Sequence, residues 1–592
     1  MNISKLIMRF LVWRLKHISN NNFILMMASL IGLISGLAAV TLKTAVHFIQ
    51  SILQKSTVYT GFNYLYLIYP LIGIILTALI ANYIIREKLG HGITQILYSI
   101  SKNSSIIQRT KMYSRMVTSA ITVGFGGSVG LEAPIVLTGS AIGSNLAQFV
   151  HLDYKKRTLL IGCGSAGAIS AIFNSPIAGV IFAIEVILTD ITINKFIPIL
   201  IASVSGQLVT LILLGDDILF SFRLIDGFSA DQTPYYILLG VLSGAASLYF
   251  TRVMFRVESR IQTIKNVVFR AFLGGIGLAL IILIFPPIYG EGYDTIKNLL
   301  NGHQSEIFQR SFLTSFSTNE IFLSIFLFSI LLVKPVATAL TIGSGGSGGI
   351  FGPSLFMGGL TGFFVAYTLN IIFPTLNLSI SNFTLVGMCG LMSGILHAPL
   401  TAIFLIAEIT GGYILFVPLM LVSAISFTTI SYFEKHSIYT KKLIEKGDLI
   451  PYDKDRIVLS LIDMKKIIEL DLLKIHPQSN LGELVVLVQK SKRNIFPVVN
   501  EKDELEGIVT LDMIREMMFD EERYQKVIIN SIMQKPPAFV SPKESMQSVM
   551  NKFEFTQAWN LPVIDEGKYI GFVSKSRIFN AYRKKLIRQT KE

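Results

Sequence analysis

From Asn22 to about Phe433 the chain is a succession of long apolar runs, among them LYLIYPLIGIILTALIANYII and EIFLSIFLFSILLVKPVATALTI. Many approach the ~20 residues that a helix needs to cross the hydrocarbon core of a bilayer. No water is available there to satisfy peptide groups, so such runs must be helices, or irregular backbone shielded by protein or by a cavity. Composition agrees: 51% of the 592 residues are hydrophobic and only 15% are charged. Mean hydropathy is +0.58. Glycine clusters interrupt several runs, the pattern of discontinuous helices that line a cavity.

The segment MNISKLIMRFLVWRLK carries Lys5, Arg9, Arg14 and Lys16 before the first long run, which places the N-terminus in the cytoplasm. It is long and amphipathic, and no convincing A-x-A cleavage site follows it, so it reads as a basic helix over residues 1–21 rather than a signal peptide. The net charge of +14 is spread over this segment, the loops and the tail. That distribution suits an anionic lipid leaflet better than nucleic acid. Cys163 and Cys389 both lie in apolar runs and read as small packing residues.

After about Glu434 the pattern turns charged and periodic. Leu481 to Ile514 and Met546 to Phe579 share an order of elements: an amphipathic helix, a strand (FPVVN or LPVID), a polar turn, and a second strand (GIVT or GFVS) leading into a helix. The expected organisation is a membrane region over 22–440, a linker over 441–460, and paired modules over 461–520 and 521–592, the last with a basic tail.

The membrane region is itself duplicated, with halves at about 22–214 and 235–440. GGSVGLEAP (Gly126 to Pro134) aligns with GGSGGIFGP (Gly345 to Pro353), and GSAGAISAIFNSPIAGVIFAIE (Gly164 to Glu185) with GMCGLMSGILHAPLTAIFLIAE (Gly387 to Glu408). Two matches in the same order argue for duplication. Membrane repeats are parallel or inverted, and both arrangements put the substrate between the halves. Glycine-rich runs also serve as helix-packing devices. Here each motif leads into a helix start, where uncovered NH groups and the helix dipole favour negative charge. A nucleotide-phosphate loop is a poor reading, since neither motif has the Lys followed by Ser or Thr that such a loop requires.

Glu132 lies within this motif, with no basic residue from Gly124 to Val150. An ionisable group at membrane depth costs ~2.5 to 3.5 kcal/mol even on a lenient scale, so it is read as functional. Its repeat mate is Phe351, an apolar plug at the same motif position. In a pocket of donors, a carboxylate takes the place of an anion when ionised and leaves it when protonated.

On these motifs the chain resembles the CLC family of chloride channels and transporters, followed by a pair of CBS domains. GLEAP is similar to the family's GREGP motif, which implies that Glu132 is the gating glutamate, with Gly130, Leu131 and Ala133 beside the anion. GIFGP matches GxFxP and implies that Gly349, Ile350, Phe351 and Gly352 surround the central ion. GHGIT resembles GSGIP and places Gly90, His91 and Gly92 there, and HSIYT places Tyr439 at the tyrosine whose hydroxyl reaches the same ion.

The fold implied is an all-α polytopic membrane protein of two inverted halves followed by a small α/β CBS pair. The chain would form a homodimer with one pathway per subunit, and both termini would be cytoplasmic. The function implied is transmembrane chloride or anion transport, with no catalytic residue, metal or resident cofactor.

The departures bear on mechanism. Leu131 replaces an arginine beside the gate, and His91 and Thr94 replace serine and proline; a histidine can donate to an anion. Val186 stands where exchangers of the family carry a proton-relaying glutamate, which favours a channel-like passive pathway over proton-coupled chloride exchange. Glu185 and Glu408 read as structural partners at helix ends. Lys334, inside an apolar run, either snorkels or raises the local potential for anions.

In the CBS pair, Thr510 is followed by Asp512 at two positions rather than three, and Ser574 by Arg577 where an acid is usual. A dimerisation and coupling module is the leading reading. Adenine-nucleotide binding through Thr510, Asp512, Ser574 and Arg577 is the alternative, and a nucleotide-sensing receptor is a further one.

Overall fold

The computed structural model describes residues 13–58 except 15, 65–188 except 88, 193–215, 227–308, 320–448 except 446, 459 and 462–590. Most of the basic N-terminal segment (1–12 and 15) and linker residues 446, 449–458 and 460 lie outside the described residues. The chain forms two compact units, Met1–Leu449 and Ile450–Glu592.

Among the described residues of the first unit, eight helices are long and apolar enough to cross a membrane. They include Asn20–Val58, Thr233–Gln262, Glu320–Gly343 and Phe351–Ile372. Met26, Phe48 and Ile212 are exposed on the outside of this unit, an apolar surface suited to acyl chains. Cys163 and Cys389 are free and buried.

The sequence duplication is a structural one. Helix Tyr154–Phe173 ends at Asn174 with φ +57°, and after Ser175 a proline opens helix Pro176–Phe182. In the second half, helix Ile380–Leu396 ends at His397 with φ +53°, and after Ala398 a proline opens helix Pro399–Ile409. A left-handed residue stops each helix, and proline at the first helical position needs no NH partner. The helix crossings repeat too. A side chain at Gly139 would meet the Gly164 carbonyl at 2.2 Å, and one at Gly358 the Gly387 carbonyl at 2.6 Å. Only glycine lets these backbones touch.

The glutamates at the ends of the repeated segments are exchanged between halves. Glu408 accepts from the Ile177 and Ala178 NH groups at 3.0 and 2.8 Å, and Glu185 from the equivalent Leu400 and Thr401 NH groups at 3.1 and 2.7 Å. Each carboxylate therefore caps the first turn of the other half's short helix, the structural role that the sequence assigned to them.

In the second unit, strand Ile495–Val499 pairs antiparallel with Leu505–Thr510, and Asn560–Asp565 with Lys568–Ser574. Helices Leu481–Lys490 and Met546–Thr556 precede the two hairpins, as the repeated pattern requires.

Candidate functional site

The two glycine motifs meet. The Gly130 NH donates to the Gly349 carbonyl at 2.9 Å, and the Gly349 NH to the Gly130 carbonyl at 2.7 Å. Two equivalent residues bonded reciprocally are what a local twofold axis produces. The same relation holds beside them, where the Ser347 NH donates to Thr122 Oγ1 at 3.0 Å and the Ser128 NH to Thr341 Oγ1 at 3.3 Å. Helices Glu132–Phe149 and Phe351–Ile372 start from this junction. Helix Gly92–Lys102 starts against it, since a side chain at Gly92 would meet the Ala133 carbonyl at 2.7 Å. Three helix starts thus converge, each with NH groups that lack intrahelical acceptors.

Glu132 sits at this convergence and is 2% exposed. Its Oε2 accepts from the Gly352 NH at 3.3 Å, on the first turn of the other half's helix, and its Oε1 from the Tyr293 hydroxyl at 2.5 Å. A Cβ at residue 130 would lie 2.0 Å from Glu132 Oε2 and 2.9 Å from the Gly352 nitrogen, so a larger residue there displaces the seated carboxylate. Tyr439 is buried nearby, close enough for the Glu132 charge to act on its phenol. The Tyr439 hydroxyl has no hydrogen-bond partner among the described residues, although the Tyr439 carbonyl accepts from Thr94 Oγ1 at 3.0 Å. A buried polar group left unpaired costs ~1–3 kcal/mol.

Several of the residues named from the motifs have partners within the protein. The NH groups of Gly130 and Gly349 serve the bridge between the halves. The Leu131 NH donates to Glu291 Oε1 at 3.1 Å. His91 Nε2 lies 3.2 Å from Glu258 Oε2, which Lys442 Nζ also reaches at 2.9 Å, so that imidazole nitrogen is engaged by an acid. The Gly90 carbonyl accepts from Arg115 at 3.3 Å. Ile350, Phe351 and Gly352 do open their helix, and the Phe351 ring packs against Phe173 and Phe182 with centroids 5.3 and 6.3 Å away. Val186 lies in a turn of wider helix over Ala183–Ile187.

Four residues here escaped the sequence reading of the site or were only partly placed: Tyr293, Glu291, Lys43 and Lys334. Glu132, Glu291, Tyr293 and Lys43 line a common cavity of about 720 Å³. Lys334 is fully buried; its Nζ donates to Ser128 Oγ at 2.9 Å and lies 4.5 Å from the centre of the Phe356 ring, so it does not snorkel. The available signals were an acid between two glycines in GEGY and a lone lysine deep in an apolar run.

In the second unit, Thr510 and Ser574 hold equivalent places at helix starts. Thr510 caps Leu511–Ile514, and Ser574 Oγ accepts from the Arg577 NH at 3.2 Å while donating to Glu469 at 2.7 Å. Asp512 is paired with Arg515.

Duplicated membrane helices whose motif-bearing starts converge on a seated carboxylate define a polytopic membrane protein with a site for negative charge between its halves. The chain belongs to the voltage gated chloride channel family, whose model matches residues 72–431, and CBS domain models match 463–520 and 529–584. It is 28% identical over 429 residues to the chloride channel protein CLC-e of Arabidopsis thaliana, covering 66% of this chain and 58% of that protein. It is 26% identical over 425 residues to the H(+)/Cl(-) exchange transporter ClcA of Salmonella arizonae, covering 69% of this chain and 85% of that protein. The fold is similar to the crystal structure of a eukaryotic CLC transporter, with a TM-score of 0.60 and 20% identity, over 94% of this chain and 97% of that one.

Proposed function

We propose that the protein carries chloride across a membrane along a pathway gated by Glu132, and that the flow is passive. The observation that carries this reading is the seat of Glu132, a carboxylate held on the Gly352 NH where helix starts of both halves converge. Ionised, it competes with chloride for the same donors; protonated, it releases them. The Tyr439 hydroxyl, which has no hydrogen-bond partner among the described residues, supplies a further donor. Passive flow is supported by Val186, an apolar residue where the family's exchangers carry a relaying acid. We read the working form as a homodimer with both termini and the CBS pair in the cytoplasm, the pair acting as a coupling module. Adenine-nucleotide binding at the pair is the lesser alternative, since Asp512 is engaged by Arg515.

Proton-coupled exchange is the second reading. It is supported by the likeness to the Salmonella exchange transporter and by Glu258, a buried acid held by His91 and by the half-exposed Lys442. Purified protein in liposomes under an imposed chloride gradient separates the two. Chloride movement without proton movement supports the passive pathway, and proton movement driven by the chloride gradient supports exchange. No chloride movement at all contradicts both.

A further inference from the structure

Glu291 stands between Gly290 and Gly292, whose φ angles of +65° and +89° make the tight turn into helix Tyr293–Leu300. Its carboxylate is half-buried, lines the same cavity as Glu132, and holds the Leu131 NH at 3.1 Å. Two carboxylates are therefore seated on NH groups of the paired motifs, Glu132 on Gly352 and Glu291 on Leu131. A carboxylate on such an NH makes the contact that a bound anion would make.

The charges acting on Glu291 are Glu132 from its helix, Lys43 from Asn20–Val58 and Lys334 from Glu320–Gly343, with Tyr293 as the adjoining titratable group. Lys43 acts on Glu132 as well. His47, Asp294, Lys297 and Glu306 stand elsewhere on the cavity wall. With both acids ionised and both lysines charged, the inner cluster of two acids and two bases is neutral. A chloride joining it brings an uncompensated charge beside the buried Glu132 and Lys334, which is unfavourable unless one acid is protonated.

We propose that Glu291 is a second gating carboxylate in series with Glu132. It occupies an outer anion position on the Leu131 NH and takes up a proton from the cavity before an anion displaces it. The proposal rests on the chloride reading above. Two protonations then control the pathway, and acid activation is steeper than one group gives. Glu291→Gln removes one charge of the cluster and leaves an excess positive charge that admits chloride without a proton.

The test is chloride efflux from liposomes, followed from neutral to acid pH, for the wild-type protein, Glu291→Gln, Glu132→Gln and the double variant. Each single variant is expected to show a shallower pH profile and severalfold higher efflux at neutral pH, and the double variant a flat profile. Glu291→Asp keeps the charge on a shorter side chain, so it should retain the steepness while raising neutral efflux. If Glu291→Gln does not fold, the Asp variant decides, and a wild-type profile in it overturns the proposal. A wild-type profile in Glu291→Gln overturns the second gate alone, provided the wild-type protein moves chloride. A wild-type protein that moves none contradicts the chloride reading and the second gate together.

Discussion

The hydroxyl of Tyr293 donates to the Glu132 carboxylate at 2.5 Å, from a helix that belongs to neither glycine motif. Glu132 is therefore fixed from two directions, by the other half's helix start through Gly352 and by the cavity wall through Tyr293. The phenol favours the seated, ionised carboxylate, so this contact stabilises the closed state of the proposed gate.

Tyr293→Phe removes that donor and leaves the ring in place. A hydrogen bond to a charged group contributes about 1.5–3 kcal/mol. Losing it should raise the released population roughly tenfold or more. Chloride efflux from liposomes at neutral pH should rise accordingly. Efflux equal to wild type would show that Tyr293 does not hold the gate.

Tyr439→Phe probes the opposite contact. The hydroxyl is buried and has no acceptor among the described residues, so its proposed partner is the anion. Chloride binding measured by titration calorimetry should weaken about tenfold, the scale of one charge-assisted hydrogen bond. Unaltered affinity would remove Tyr439 from the site.

Glu185 and Glu408 predict a stability effect without a gating effect. Each caps the other half's short helix, so Glu185→Ala and Glu408→Ala should each destabilise by about 0.5–2 kcal/mol, the range for a lost cap. Thermal unfolding in detergent should shift downward by a similar amount for both. The pH profile of chloride efflux should keep its wild-type shape, and a profile that flattens in Glu185→Ala would assign that residue a proton-relay role instead.

The duplication was legible because the requirement it reflects is local. Gly130, Gly139 and their mates Gly349 and Gly358 each leave no room for a Cβ beside a neighbouring segment, and that leaves a spaced pattern in the sequence. Glu132 was legible because a lone acid in an apolar run is expensive. What stayed hidden was long-range or a matter of orientation. Tyr293 lies 161 residues from Glu132, and nothing in YGEGYDTI indicates which acid its hydroxyl meets. Gly130 and Gly349 were placed at the site by their motifs, but that their NH groups bond each other's carbonyls across the junction could not be read from either motif alone. The partner of the His91 ring, Glu258, comes from a helix far along the chain, so the sequence around His91 does not indicate it.

The proposed gating rests on Glu132 holding the anion's place. Chloride efflux from liposomes bearing Glu132→Gln, followed from neutral to acid pH beside the wild-type protein, tests this most directly. Wild-type efflux should increase as the pH falls, because protonation empties the seat, and the variant's efflux should be high at neutral pH and depend less on pH. A variant that retains the wild-type pH dependence in full would contradict the proposed gating.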